Sequence, residues 1–147
     1  MAAALLTVVV RWLHVLAMAL VLGGAVAVWV TLRVDPPRSG PDSLAIAAAY
    51  ERLFWLAAGI LVATGVGNLG AMAPAVPTVG PWAATFAVKL LAVLALLVLS
   101  VGRTLGLQRA VTGPRQAATI RPLRYGYAAT ALLLVGILAL AEVLAHG

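Results

Sequence analysis

The sequence predicts an all-α protein, an integral membrane four-helix transmembrane bundle forming one domain over residues 1–147. Three observations predict it. Hydrophobic residues make up 64% of the chain and charged residues 10%, where a soluble domain is nearer half apolar and a quarter charged. The mean hydropathy is +1.10. The apolar residues also fall into four runs separated by proline, glycine and arginine. Each run is long enough to cross a hydrocarbon core of roughly 30 Å at about 1.5 Å per helical residue.

The first helix is predicted over 5–32, longer than a bilayer requires, so it tilts or protrudes. It stops at Arg33-Val34-Asp35-Pro36-Pro37, because proline supplies no backbone donor. Asp42 or Ser43 suits the cap of a second helix over 44–71, with Tyr50, Glu51 and Arg52 near the membrane surface. Along it Gly59, Ala63, Gly67 and Ala71 recur every fourth residue, the spacing of a seam that lets a neighbouring helix approach closely. The third helix, 82–106, starts at Trp82 and carries Lys89 inside it. A loop region with Arg103, Arg109, Arg115 and Arg121 follows, broken at Gly113-Pro114. Pro122 suits the first turn of the fourth helix, 122–145.

Four spans place the first and third loops on the same side. Arg33, Arg38, Arg52, Arg103, Arg109, Arg115, Arg121 and Arg124 lie in or beside those loops, and only Arg11 and Lys89 lie elsewhere. The positive-inside rule then predicts both termini on the non-cytoplasmic side of a prokaryotic-type plasma (inner) membrane. Trp29, Tyr50, Phe54, Trp55, Tyr125 and Tyr127 are expected in the inner aromatic belt, with Trp12, Trp82 and Phe86 towards the outer one. The polar residues of the spans (Arg11, His14, Asn68, Lys89, Glu142 and His146) gather in the outer leaflet. The inner half is expected to offer only loop arginines and small hydroxyls.

The net charge of +6 comes from arginines scattered between spans, which suits a lipid bilayer as partner and not nucleic acid. Cysteine is absent, so disulfides, iron–sulfur clusters and thiolate metal sites are excluded. Met1 to Val10 holds no Lys or Arg, so the first segment lacks a signal peptide's basic region and is expected to be retained. No serine–histidine–acid set, phosphate loop or paired-carboxylate site is present to support hydrolase or nucleotide chemistry.

Arg11, His14 and Met18 are spaced three and four apart and therefore share one helix face. In the simplest account Arg11 snorkels to headgroups, His14 hydrogen-bonds a neighbouring helix and Met18 fills the core. Lys89 is too deep to snorkel and is expected to face an anion or a carboxylate such as Glu142. A haem account makes His14 an axial ligand of haem b, with Arg11 and Lys89 neutralising the propionates. Its second axial position is unassigned, and His146 is one candidate. A copper account takes His14 and Met18, with Met72 or His146, as soft ligands. A third account binds no cofactor: an accessory subunit that docks onto a larger membrane complex through its stripe of small residues. Besides the bilayer, these accounts allow a redox partner, a larger membrane complex or a homo-oligomer.

Arg11-Trp12-Leu13-His14 followed by Gly23-Gly24 resembles helix one of the copper-resistance CopD domain and of the related HemJ-type protoporphyrinogen oxidase. Tyr50-Glu51-Arg52-Leu53 resembles the start of helix two in that superfamily. Phe86-Ala87-Val88-Lys89-Leu90-Leu91 is similar to its third helix, which carries a characteristic lysine. The HemJ branch implies haem b at His14, with a role for Lys89; the CopD branch implies copper movement or resistance. After Gly24 the chain departs from the HemJ pattern. The Pro-Arg segment and further histidine of that branch are missing, so the resemblance bears on the fold more than on porphyrinogen oxidation.

Overall fold

The structure, a computed structural model, describes the backbone of residues 2–34, 41–72, 76–112 and 116–146, and the side chains of 4–34, 43–70, 76–112 and 120–146. It contains α1 (Ala2–Val34), α2 (Pro41–Met72), α3 (Pro81–Thr112) and α4 (Gln116–His146). All four are long and apolar enough to cross a membrane, and the described residues include no strand. The expected all-α four-helix bundle is the fold observed.

Two helix bounds differ most from expectation, for the same reason, while the others move by three residues or fewer. α3 continues past Gly106 to Thr112, because Leu107 and Ala110 are buried on the same stripe as Leu96, Ser100 and Arg103. Packing carries the helix through its arginine-rich end and stops before Gly113-Pro114. α4 begins at Gln116, so Pro122 lies inside it and not in its first turn. Pro122 is exposed, while Ile120 and Leu123 on either side are buried and seat that turn on the core. At the start of α3, Gly80 has φ +90°, a conformation that L side chains rarely adopt. Its carbonyl accepts the Ala84 N–H at 3.1 Å.

The helices meet along seams of alternating three- and four-residue spacing. On α3 the seam is Leu96, Ser100, Arg103, Leu107 and Ala110. On α4 it is Ile120, Leu123, Tyr127, Thr130, Leu134 and Ile137, and on α1 Met18, Val21, Ala25, Val28 and Leu32. A mean spacing near 3.5 keeps one stripe facing its neighbours when helices lie side by side at a small crossing angle. α1 packs against α2 and α4, and α3 against α4, while α2 and α3 approach least among the neighbouring pairs. Val10 lies against Gly67, His14 against Thr64 and Gly65, and Val21 against Tyr50, so α1 and α2 run antiparallel.

The stripe of small residues on α2 is not a seam of this bundle. Gly59 and Ala63 are exposed, and a Cβ at Gly59 would meet nothing within 4 Å. Gly67 touches only the Val10 side chain, at 4.0 Å from an ideal Cβ, and the Ala71 side chain lies outside the described residues. The buried face is set instead by Ala47, Tyr50, Glu51, Phe54 and Ala58. Of these, Tyr50, Glu51 and Phe54 have partners inside the bundle and turn the stripe outward.

The core is one-sided. Among the described residues nothing is buried on α1 before Ala17, on α3 before Leu96 or on α4 after Ile137, and on α2 only Thr64 is buried beyond Ala58. The arginine-rich end is tightly closed and the opposite end is open. At that open end α3 still holds α4, since Trp82 Nε1 donates to the Leu144 carbonyl at 3.2 Å.

Candidate functional site

The open end holds His14, Thr64 and Lys89. Thr64 and Lys89 each lie about eight residues from the end of their helix, a depth on the order of 12 Å. His14 is half-buried and its Nδ1 lies 2.7 Å from Thr64 Oγ1. The Thr64 hydroxyl lies 2.6 Å from the Ile60 carbonyl and 3.3 Å from that of Leu61. A hydroxyl has one proton and two lone pairs. With that proton given to the carbonyls, Thr64 receives a hydrogen bond from His14. We assign the imidazole proton to Nδ1 on this network, which leaves the Nε2 lone pair for another partner. His14 Cε1 lies 3.9 Å from where a Cβ at Gly65 would stand, so the ring rests on a flat part of α2.

Lys89 is half-buried on α3. The expected Lys89–Glu142 pair is not formed. Glu142 instead holds His146, one turn on, at 3.2 Å, with both side chains more than two-thirds exposed. At the end of a helix that pairing needs no reach across the bundle. Among the described residues Lys89 makes no hydrogen bond or ion pair.

The other sequence-derived candidates are not gathered there. Arg11 is exposed on α1 and Met18 belongs to the hydrophobic core. His146 is at the exposed end of α4, its Nδ1 3.1 Å from the Glu142 carbonyl. The Met72 side chain lies outside the described residues. Among those residues no three of His, Asp and Glu are grouped to hold a metal ion.

The arginine-rich half is not as the sequence suggested. Glu51, expected near the membrane surface, and Arg103, expected in the third loop region, are 5% and 4% exposed inside the bundle. Glu51 Oε1 accepts from Arg103 Nε at 2.7 Å and from the Tyr127 hydroxyl at 2.8 Å. Oε2 accepts from Arg103 Nη2 at 3.2 Å and from Thr104 Oγ1 at 2.6 Å. Arg103 Nη1 donates to Thr130 Oγ1. The guanidinium carbon lies 4.5, 4.8 and 5.5 Å from the ring centroids of Phe54, Tyr127 and Tyr50. Tyr50 and Tyr127 are thus core residues and not part of an aromatic belt.

The network is a clasp. Tyr50 completes it by donating to the Val21 carbonyl at 2.9 Å, so all four helices are tied together. Two carboxylate oxygens with four donors have little capacity left for a metal, and such satisfaction is what makes a buried ion pair tolerable. The sequence holds only part of the signal: Glu51 falls in step with Ala47, Phe54 and Ala58, and Arg103 with Leu96, Ser100 and Leu107, but this periodicity does not pair them. No protein family, curated protein or solved structure matches the chain.

Proposed function

We propose that the chain is a CopD/HemJ-like membrane protein that binds haem b at its open end, in a redox or haem-related role. His14 Nε2 would hold the haem iron and Lys89 would pair with a propionate, while Arg11, exposed on α1, is left outside the site. The observation that carries this reading is the 2.7 Å contact of His14 Nδ1 with Thr64 Oγ1, which suits an imidazole that donates from Nδ1 and offers Nε2 to a metal. A ligating histidine commonly donates its other ring N–H to a fixed acceptor. Lys89 supports it independently, because a half-buried ammonium without a carboxylate calls for an anionic ligand. Haem, when bound, supplies one-electron chemistry; the chain's own task is to present Nε2, hold the acidic groups and surround the macrocycle with apolar side chains. Copper fits less well, since Met18 is in the core and His146 is already held by Glu142.

The outward-facing Gly59, Ala63 and Gly67 favour a second reading, in which the chain is a cofactor-free subunit docking onto a larger complex. The arginine-rich end is assigned to the cytoplasm of a prokaryotic-type cell, with both termini outside the plasma membrane. Absorption spectra of the protein produced with ample haem, oxidised and dithionite-reduced, test the function. A Soret band lost or shifted in His14→Gln is expected. A colourless wild type contradicts the haem reading and leaves copper or the accessory subunit.

A further inference from the structure

At the closed end, α2 and α3 leave between them a groove of about 320 Å³. Trp55 lines it from α2, and Leu107 and Val111 from α3. Trp55 is partly exposed and Val111 about half exposed, so the groove opens sideways, towards what is lipid in a bilayer. Arg52, Gln108 and Thr112 also line it. Gln108 and Thr112 belong to the last turns of α3, at the level of the headgroups.

The polar groups at its base are already engaged. Glu51 has its four donors, and the Thr104 hydroxyl lies 2.6 Å from Glu51 and 2.9 Å from the Ser100 carbonyl. Thr104 also receives the Trp55 indole N–H at 3.1 Å. A ligand headgroup that needs a donor or acceptor deep in the groove, as a quinone does, finds none uncommitted. An alkyl chain asks for no partner there. The rim is different. Arg52 is exposed and, among the described residues, makes no ion pair. Arg33, Arg109 and Arg121 are exposed at the same end, while Glu51, buried and paired, is the one acidic side chain described there. The field at the rim is therefore positive, and a guanidinium at headgroup depth matches a phosphate in charge and in hydrogen-bond geometry.

We propose that this groove binds an anionic phospholipid, with one acyl chain against Trp55, Leu107 and Val111 and its phosphate on Arg52. Gln108 and Thr112 face the same headgroup. The groove does not include His14 or Lys89 and does not depend on a ligand there.

Trp55 is a built-in reporter. In a protein carrying Trp12→Phe, Trp29→Phe and Trp82→Phe, its emission is quenched by bromine on an adjacent acyl chain. The protein is placed in phosphatidylcholine vesicles containing a minor fraction of brominated lipid. Brominated phosphatidylglycerol should quench Trp55 several-fold more than the same fraction of brominated phosphatidylcholine. Arg52→Gln should remove the difference, and added salt should reduce it. Equal quenching by the two lipids overturns the proposal, as does a preference that survives Arg52→Gln. If the triple variant does not fold, native mass spectrometry of the wild type and of Arg52→Gln gives the same comparison from lipid retained. Selective retention of phosphatidylglycerol by the wild type alone supports the site, and loss of that selectivity in neither protein, or its absence in both, overturns it.

Discussion

Glu51 and Arg103 join α2 to α3 by two charge-assisted hydrogen bonds, 2.7 and 3.2 Å long, across the neighbouring pair of helices that otherwise approach least. Removing one partner leaves an uncompensated charge inside the bundle, whereas replacing both with apolar residues does not. Glu51→Gln should therefore cost about 3–5 kcal/mol. The Glu51→Leu/Arg103→Met double variant should cost less than the sum of its single changes. Unfolding in detergent measures both. An additive double variant would show that the two groups act independently.

Gly23 and Gly24 are neighbours in sequence but not in environment. A Cβ at Gly24 would lie 2.5 Å from two carbons of the Tyr50 ring, and that ring is held by its bond to the Val21 carbonyl. A Cβ at Gly23 would meet nothing within 4 Å. Gly24→Ala should destabilise by about 1–3 kcal/mol, the usual cost of overpacking, and Gly23→Ala should not. Equal melting temperatures for the two variants would mean that Tyr50 does not occupy this position.

Ser100 Oγ is buried with no hydrogen-bond partner among the described residues. A buried hydroxyl without a partner costs about 1–3 kcal/mol in lost hydration, so Ser100→Ala should raise the melting temperature. A lower melting temperature would show that the hydroxyl is engaged.

The absence of cysteine makes the proposed orientation easy to test. Leu5 and Thr112 are exposed near opposite ends of the bundle. In intact cells an impermeant thiol reagent should label Leu5→Cys and spare Thr112→Cys. The reverse pattern would put the open end in the cytoplasm.

The fold was legible because four apolar runs with proline and arginine between them admit few alternatives. His14 and Lys89 stand out in the sequence as isolated polar groups in apolar spans, but Thr64, the partner of His14, does not. The clasp was not legible. Glu51 and Arg103 lie near runs of charge at the helix ends, where length alone assigns them to an interface. Their burial depends on Tyr127 and Thr130 arriving from α4, a meeting no single-helix pattern contains. The stripe on α2 failed for a related reason: four-residue spacing marks a face on which helices can approach, but the partners of Tyr50 and Glu51 decide which face turns inward.

The central claim is that His14, held through Thr64, ligates haem iron by Nε2. Resonance Raman spectroscopy of the ferrous protein reads that bond through the iron–histidine stretch. The wild type should show the band and His14→Gln should lack it. In Thr64→Val it should move to lower frequency, because an Nδ1–H without its acceptor makes the imidazole a weaker donor. A haem-loaded wild type without an iron–histidine band, or a band that persists in His14→Gln, would contradict the account.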